Sequence, residues 1–137
     1  VPPGAALAMG DWVVRVVAAD PDGTEEVLAE NMFNEPPSEG RVFFLATLEA
    51  TYHGTDSAEF NWSFTWSALG PSNVAYDEFA ADCGVIPQPM SEAGEAFSGG
   101  TVTGNICWEV TAQDASDLLL MLEDYLGEGR AFFRLSG

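Results

Sequence analysis

The strongest constraint in this sequence is an alternation of apolar and polar side chains with a period of two. Residues 59–68 show it most clearly, because every second residue is apolar: Phe60, Trp62, Phe64, Trp66 and Ala68. Successive side chains of a β-strand point to opposite faces, so the pattern is typical of a strand with one buried face. The segment therefore predicts one strand with these five side chains in the core.

The same period recurs along the chain, which indicates an all-β protein. Residues 101–110 alternate in the same way, residues 12–17 are apolar on both faces apart from Arg15, and residues 131–135 form the last apolar run. In residues 43–52 the predicted inner face carries Phe44, Ala46, Leu48, Ala50 and Tyr52. Turn sequences rich in Gly, Pro, Asn and Asp separate these runs.

Several strands with turns between them favour a sandwich or a barrel. We expect an all-β, immunoglobulin-like β-sandwich of about seven to nine antiparallel strands with one disulfide. The domain is predicted to occupy residues 10–137, and the small, proline-rich residues 1–9 are predicted to be the end of a linker.

Two segments do not follow the period of two. In residues 114–126, Leu118, Met121, Leu122 and Tyr125 have helical spacing after a plausible N-cap, although residues 118–122 also suit a strand. The strand is favoured because the rest of the chain is β. Residues 25–33 are left open between helix and strand.

The two cysteines, Cys83 and Cys107, predict a single disulfide and an oxidising compartment. Cys107 alternates with Ile106 and Trp108, so if those two point into the core, Cys107 points outward. The bridge would then hold residues 77–97 across a sheet face or edge, and would not join the two sheets through the core as in antibody domains.

The charge of the chain excludes several classes of partner. Twenty-two acids against four arginines, with no lysine, give a formal net charge of -18. Such a surface repels nucleic acid and anionic lipid, while cations and basic proteins stay compatible with it. No apolar run is long enough to span a membrane, although a membrane tether upstream of the segment is compatible with the sequence.

Little catalytic chemistry is available, so we expect no enzyme, no catalytic residues and no cofactor. His53 is the one histidine, and its position before a turn favours an exposed side chain. Paired carboxylates could hydrolyse glycosides, but 22 acids offer too many pairs to nominate one. The four tryptophans could line a carbohydrate platform, but on alternating strands they favour the core.

Calcium is the metal that this sequence could bind. Residues 20–26 place four carboxylates around a tight turn, and calcium takes oxygen ligands from such turns. The candidate ligands are Asp20, Asp22, Glu25 and Glu26. The spacing is not that of an EF-hand, and an ordinary Asp-Gly turn on an acidic protein is the favoured interpretation.

The order of motifs resembles a family of uncharacterised extracellular immunoglobulin-like domains in bacterial, especially actinobacterial, lipoproteins. The motifs are Gly10-Asp11-Trp12, residues 31–40 with Asn34, Pro36, Pro37 and Gly40, residues 83–87 beginning at Cys83, and residues 97–108 with Gly99, Gly100, Gly104, Asn105, Cys107 and Trp108. The resemblance covers about residues 10–135 and implies a sandwich fold and an extracellular location. It carries no site residues.

The expected function is a non-catalytic, secreted or surface-anchored binding or structural module. Its partner would be an unidentified protein or cell-envelope ligand. A calcium-dependent binding module and a hydrolase with a carboxylate pair are the alternatives.

Overall fold

The computed structural model describes residues 1–127 and 129–136 of the chain. Ten strands, three short α-helices and one 3-10 turn make up the described part. In chain order they are β1 (Ala6–Met9), β2 (Trp12–Asp20), α1 (Thr24–Glu30), β3 (Arg41–Tyr52), β4 (Ser57–Glu59), α2 (Phe60–Ser63), β5 (Phe64–Leu69), β6 (Ala75–Asp77), the 3-10 turn (Met90–Glu92), β7 (Glu95–Phe97), β8 (Thr101–Thr111), α3 (Ala112–Ala115), β9 (Leu119–Asp124) and β10 (Arg130–Arg134).

The strands form two four-stranded antiparallel sheets and a two-stranded ribbon. The first sheet has the order β1-β2-β3-β8, the second has the order β10-β9-β5-β6, and β4 pairs with β7 in the ribbon. The all-β antiparallel sandwich predicted from the alternation is confirmed. The strand count is ten because β4, β6 and β7 span three residues each, too few to produce an alternating pattern.

The main core lies between the two sheets. The inner face of β3 is the one predicted, and Phe44 and Leu48 are buried there. Trp108 of β8 and Leu120 and Phe133 of the second sheet pack into the same cluster. No helix in residues 1–127 or 129–136 is long and apolar enough to cross a membrane.

A second, smaller cluster lies on the outer face of the first sheet. Helix α1 covers Phe43 and Leu45 there through the fully buried Val27. This explains why the outward positions of β3 are apolar at its first half. Residues 25–33, which the pattern left open, thus divide into the helix α1 and a following loop.

The first nine residues belong to the sandwich, contrary to the expected linker end. Strand β1 pairs antiparallel with β2, and the amide of Gly4 donates to the carbonyl of Val16 at 3.0 Å. The amino group of Val1 donates to the carbonyl of Phe132 at 2.9 Å, and the amide of Arg134 donates to the carbonyl of Val1 at 2.7 Å. An edge strand is paired on one side only, so it accommodates the neighbouring prolines and small residues that resembled a linker.

Residues 59–68 do not form the single strand predicted. Residues Phe60 to Ser63 make the helical turn α2, and β5 begins at Phe64. Phe60 and Phe64 are four residues apart, so a helical turn places both in the core, whereas Trp62 is turned outward and is 65% exposed. The prediction that Trp62 lies in the core is wrong for this reason.

The strand favoured in residues 114–126 is confirmed. The short helix α3 precedes it, and β9 then runs between β5 and β10. Leu120 and Leu122 of β9 are fully buried, while Tyr125 follows the strand and is exposed.

One buried carboxylate fastens an edge of the second sheet to the first. Asp114 is 3% exposed and accepts hydrogen bonds from the hydroxyls of Ser72 and Tyr76, both at 2.6 Å. These bonds, that of Ser72 first, lower the pKa of Asp114 against the opposing effect of its burial. They fix the turn before β6 and the edge strand itself.

We expect Asp114→Ala to lower the free energy of unfolding by about 2–4 kcal/mol, because it leaves two hydroxyls without their charged acceptor. The wild type should hold this contribution above pH 3.8, the ordinary value for an aspartate, and lose it as the pH falls through the lowered pKa of Asp114. Denaturant titration over a pH series measures both effects. The exposed Asp117→Ala is the control, and an equal loss in the two variants would contradict the role given to Asp114.

Candidate functional site

The predicted disulfide between Cys83 and Cys107 is present. Ile106 and Trp108 point into the main core, whereas Cys107 lies in the outer cluster with Phe43 and Leu45. The bridge is therefore on the outer side of the first sheet, as the register of β8 predicted.

The bridge is one of several attachments that hold residues 78–92, here called the stapled segment, along the free edge of β8. The amide of Glu109 donates to the carbonyl of Ala81 at 2.8 Å, and the amide of Asn105 donates to that of Gln88 at 2.8 Å. The side-chain amide of Asn105 also donates to the carbonyl of Pro87 at 2.7 Å. These bonds cover an edge that would otherwise be open to pairing with another chain.

Close packing fixes the far end of the stapled segment. A Cβ atom on Gly104 would lie 2.5 Å from the Cα atom of Met90, so the backbone of β8 admits Met90 only because residue 104 is glycine. Met90 is buried in the main core. The segment thus has a bridge near its middle and a buried anchor at its end.

Asn34 braces the middle of the stapled segment from the neighbouring loop. Its side-chain amide donates to the carbonyls of Val27 at 2.8 Å and Val85 at 2.6 Å, and its side-chain oxygen accepts from the amide of Val85 at 2.9 Å. The side chain of Asn34 therefore pairs with Val85 as a strand backbone would, and holds it next to the disulfide.

An open groove of about 800 Å³ lies between the stapled segment and the side of the sandwich. Its floor is formed by residues 64–66 of β5 and residues 105–107 of β8. Its rim is formed by Trp62 of α2, by Tyr125 after β9, and by the stapled segment. The size is in the range of small-ligand and peptide sites.

Large apolar side chains on the rim are open to solvent. Trp62 is 65% exposed, Phe79 81% and Tyr125 55%, and Val85 lies among them. Most aromatic rings of this size bury themselves when the fold allows it, and a group of exposed ones marks a surface for binding.

The charged residues of the groove are all acidic. Glu78, Asp82 and Glu92 line it, and the lining contains no Lys, Arg or His. Burial raises the pKa of Glu78 to about 7, with a further contribution from the negative charge of Asp77. Glu78 is thus a carboxyl group that is partly removed from water and lacks a cationic neighbour.

The four carboxylates of the predicted calcium turn line one small pocket, and two of them are engaged in hydrogen bonds of the turn itself. Asp22 accepts from the hydroxyl of Thr24 at 2.6 Å, and Asp20 accepts from the amide of Asp22 at 3.0 Å, so both serve their own turn. A hydrogen bond to Asp20 raises the pKa of Glu26, which places those two carboxyls together. In the described part of the chain, no three His, Cys, Asp or Glu residues, Glu25 included, are placed to hold a metal ion.

Sequence reasoning located the stapled segment on one side of this groove but missed the contribution of Trp62. The outward register of Cys107 indicated a segment held across the sheet, and that segment carries Glu78 and Phe79. The exposure of Trp62 was missed because the alternation placed it in the core. Nothing in the local sequence indicates the helical turn α2, which directs the Trp62 ring outward.

Comparison with known proteins supports the fold alone. No protein-family model matches the sequence, and no curated protein matches it. A conserved hypothetical protein from Bacillus anthracis is similar in structure, with 12% sequence identity, a TM-score of 0.55, and coverage of 94% of this chain and 92% of that one. An uncharacterised β-sandwich protein from Clostridium difficile 630 has 10% identity and a TM-score of 0.57, over 98% of this chain and 91% of its own.

The position of Trp62 predicts an unusual contrast between two tryptophans of the same segment. Trp62→Ala should change the free energy of unfolding by less than about 0.5 kcal/mol, because the ring is at the surface. Trp66→Ala should cost about 3–5 kcal/mol, because that ring is 5% exposed and packs in the core. Denaturant unfolding measures both, and similar costs would place Trp62 in the core after all.

The raised pKa of Glu78 predicts a pH-dependent loss of stability. The group keeps its proton more tightly in the folded state, so its contribution is full below pH 4.5 and is lost as the pH rises through about 7. Between pH 4.5 and about 7, the melting temperature should therefore fall less in Glu78→Gln than in the wild type. Glu39→Gln, which changes an exposed carboxylate outside the groove, should follow the wild type, and a Glu78→Gln profile that also follows it would contradict the shift.

Proposed function

We propose that this domain is a non-catalytic binding module, secreted or anchored at a bacterial cell surface, and that the groove beside the stapled segment binds its ligand. The observation that carries the proposal is the cluster of exposed rings, Trp62, Phe79 and Tyr125, on the rim of one groove. Exposed aromatic anchors around a concave surface are typical of binding sites.

The rigidity of the groove wall supports a binding role. The disulfide, the brace from Asn34 and the buried Met90 hold the stapled segment in place before any ligand arrives. A site formed in advance loses less conformational entropy on binding, which raises its affinity. A segment that only closed the edge of the sheet would not need to expose Phe79.

The extracellular part of the proposal is supported by the disulfide and by the sequence resemblance. Structural disulfides form and persist in oxidising compartments. The motifs from Trp12 to Trp108 resemble extracellular domains of bacterial lipoproteins, and the two similar structures come from bacteria.

A hydrolase with a carboxylate pair is the second candidate, and one observation favours it. Glu78 has a pKa raised to about 7 and shares the groove with Asp82 and Glu92. A general acid in glycoside hydrolysis needs such a raised pKa beside a second carboxylate. The binding module is preferred because the groove is open and its most exposed groups are aromatic.

The test measures the change in tryptophan emission when a ligand is added. All four tryptophans lie in the described residues, and Trp12, Trp66 and Trp108 are buried, so a ligand in the groove should change mainly the emission of the exposed Trp62. We would titrate the domain with soluble oligosaccharides and with peptide pools of fixed net charge. We expect saturable binding of at least one probe, weakened roughly tenfold or more in Phe79→Ala. Phe97→Ala, which removes a ring of similar exposure outside the groove, should bind like the wild type.

Three results would count against this function. Equal binding by Phe79→Ala and the wild type would place the ligand elsewhere, and no binding by any probe would remove the groove as a site for these classes. Recovery of a cleaved probe, with cleavage lost in Glu78→Gln, would identify the hydrolase instead.

A further inference from the structure

The groove lacks a positive charge to balance its acids. Of the four arginines, Arg15 pairs with Glu49 at 2.9 Å and Arg130 with Glu123 at 2.8 Å, and none of the four lines the groove. The half-buried Glu78 therefore faces a site with only negative charges, within a chain of net charge -18. An occupant that brings a cation would stabilise the ionised form of Glu78 and be attracted by the whole surface.

The rings on the rim favour a cation of a particular kind. Trp62, Phe79 and Tyr125 present exposed aromatic rings within the same groove as the three carboxylates. A guanidinium stacks on aromatic faces and binds a carboxylate with two parallel hydrogen bonds. An ammonium is more strongly hydrated and lacks the planar geometry, so arginine suits this combination better than lysine.

The floor of the groove contains a short stretch of strand without a second partner strand. Strand β5 pairs with β9 along its whole length, but β6 pairs only with Ser67, Ala68 and Leu69. Phe64 and Trp66 line the groove but are only 3% and 5% exposed, and the amide of Phe64 donates to the carbonyl of Phe60. Residues 64–66 therefore form a floor beneath a ligand and are not an open template for another strand.

From the acids and the exposed rings we infer that the groove binds an arginine-bearing peptide segment of a partner protein, with its arginine against the aromatic rim and the acids. The inference rests on the proposed function, since it names the ligand class of the same groove.

The experiment uses the full chain, three synthetic peptides of one glycine-serine background, and arginine amide as a fourth probe. One peptide carries two arginines, one two lysines and one two citrullines, which keep the shape of arginine without its charge. Affinity is measured by calorimetry for every variant and also by tryptophan emission wherever Trp62 is kept, and amide shifts in an NMR spectrum locate the bound peptide. We expect saturable binding of the arginine peptide, several-fold weaker binding of the lysine peptide, and at least about 30-fold weaker binding of the citrulline peptide.

Variants of the chain separate the groove from general attraction to an acidic protein. Trp62→Ala and Asp82→Asn should each weaken the arginine peptide roughly tenfold, while Phe97→Ala and Glu39→Gln should leave it unchanged. All four positions have exposed or half-exposed side chains, and a thermal melt of each variant verifies that it is folded. The largest amide shifts should fall in the residues that line the groove.

Several outcomes would overturn the inference. These are equal binding of the arginine and citrulline peptides, equal loss in the groove and control variants, no saturable binding at all, or binding without amide shifts in the residues that line the groove. If a neutral oligosaccharide or peptide pool binds in a Phe79-dependent manner while the arginine peptide does not, the ligand class is wrong and the proposed binding function stands.

Discussion

The bond between Cys83 and Cys107 sets the position of the residues that give this sandwich a distinctive surface. It holds the stapled segment against the outer side of β8, where the amides of Asn105 and Glu109 bond to that segment. The stapled segment therefore forms one side of the groove, outside the two sheets. The exposure of Phe79, the partial burial of Glu78 and the function proposed for the groove all depend on the position of the stapled segment.

Two opposite uses of carboxylates coexist in the molecule. Asp114 is buried with hydroxyl donors that stabilise its charge, so its pKa falls and it fastens the edge strand β6. Glu78 is partly buried without such partners, so its pKa rises to about 7. The two carboxylates thus differ in whether hydrogen-bond donors lie within reach: Asp114 has them, and the pKa of Glu78 is set by burial and by the charge of Asp77.

The alternation of apolar and polar residues predicted several features of the fold correctly and was wrong at Trp62. It identified the inner face of β3 and the outward register of Cys107, because side chains in strands must alternate between faces. It failed at Trp62, because the turn α2 keeps Phe60 and Phe64 buried by helical spacing and turns the ring between them outward. The error placed in the core the residue that marks the candidate site.

The sequence by itself determined the β-sandwich class, the acidic surface and the pairing of the two cysteines, since each follows from local period, composition or count. Tertiary structure alone decided that residues 1–9 complete an edge and that Trp62, Phe79 and Tyr125 meet around one groove. Those three rings come from separate segments of the chain. Local patterns describe the direction of a side chain within its own segment, and only the packing of distant segments fixes which side chains share a surface.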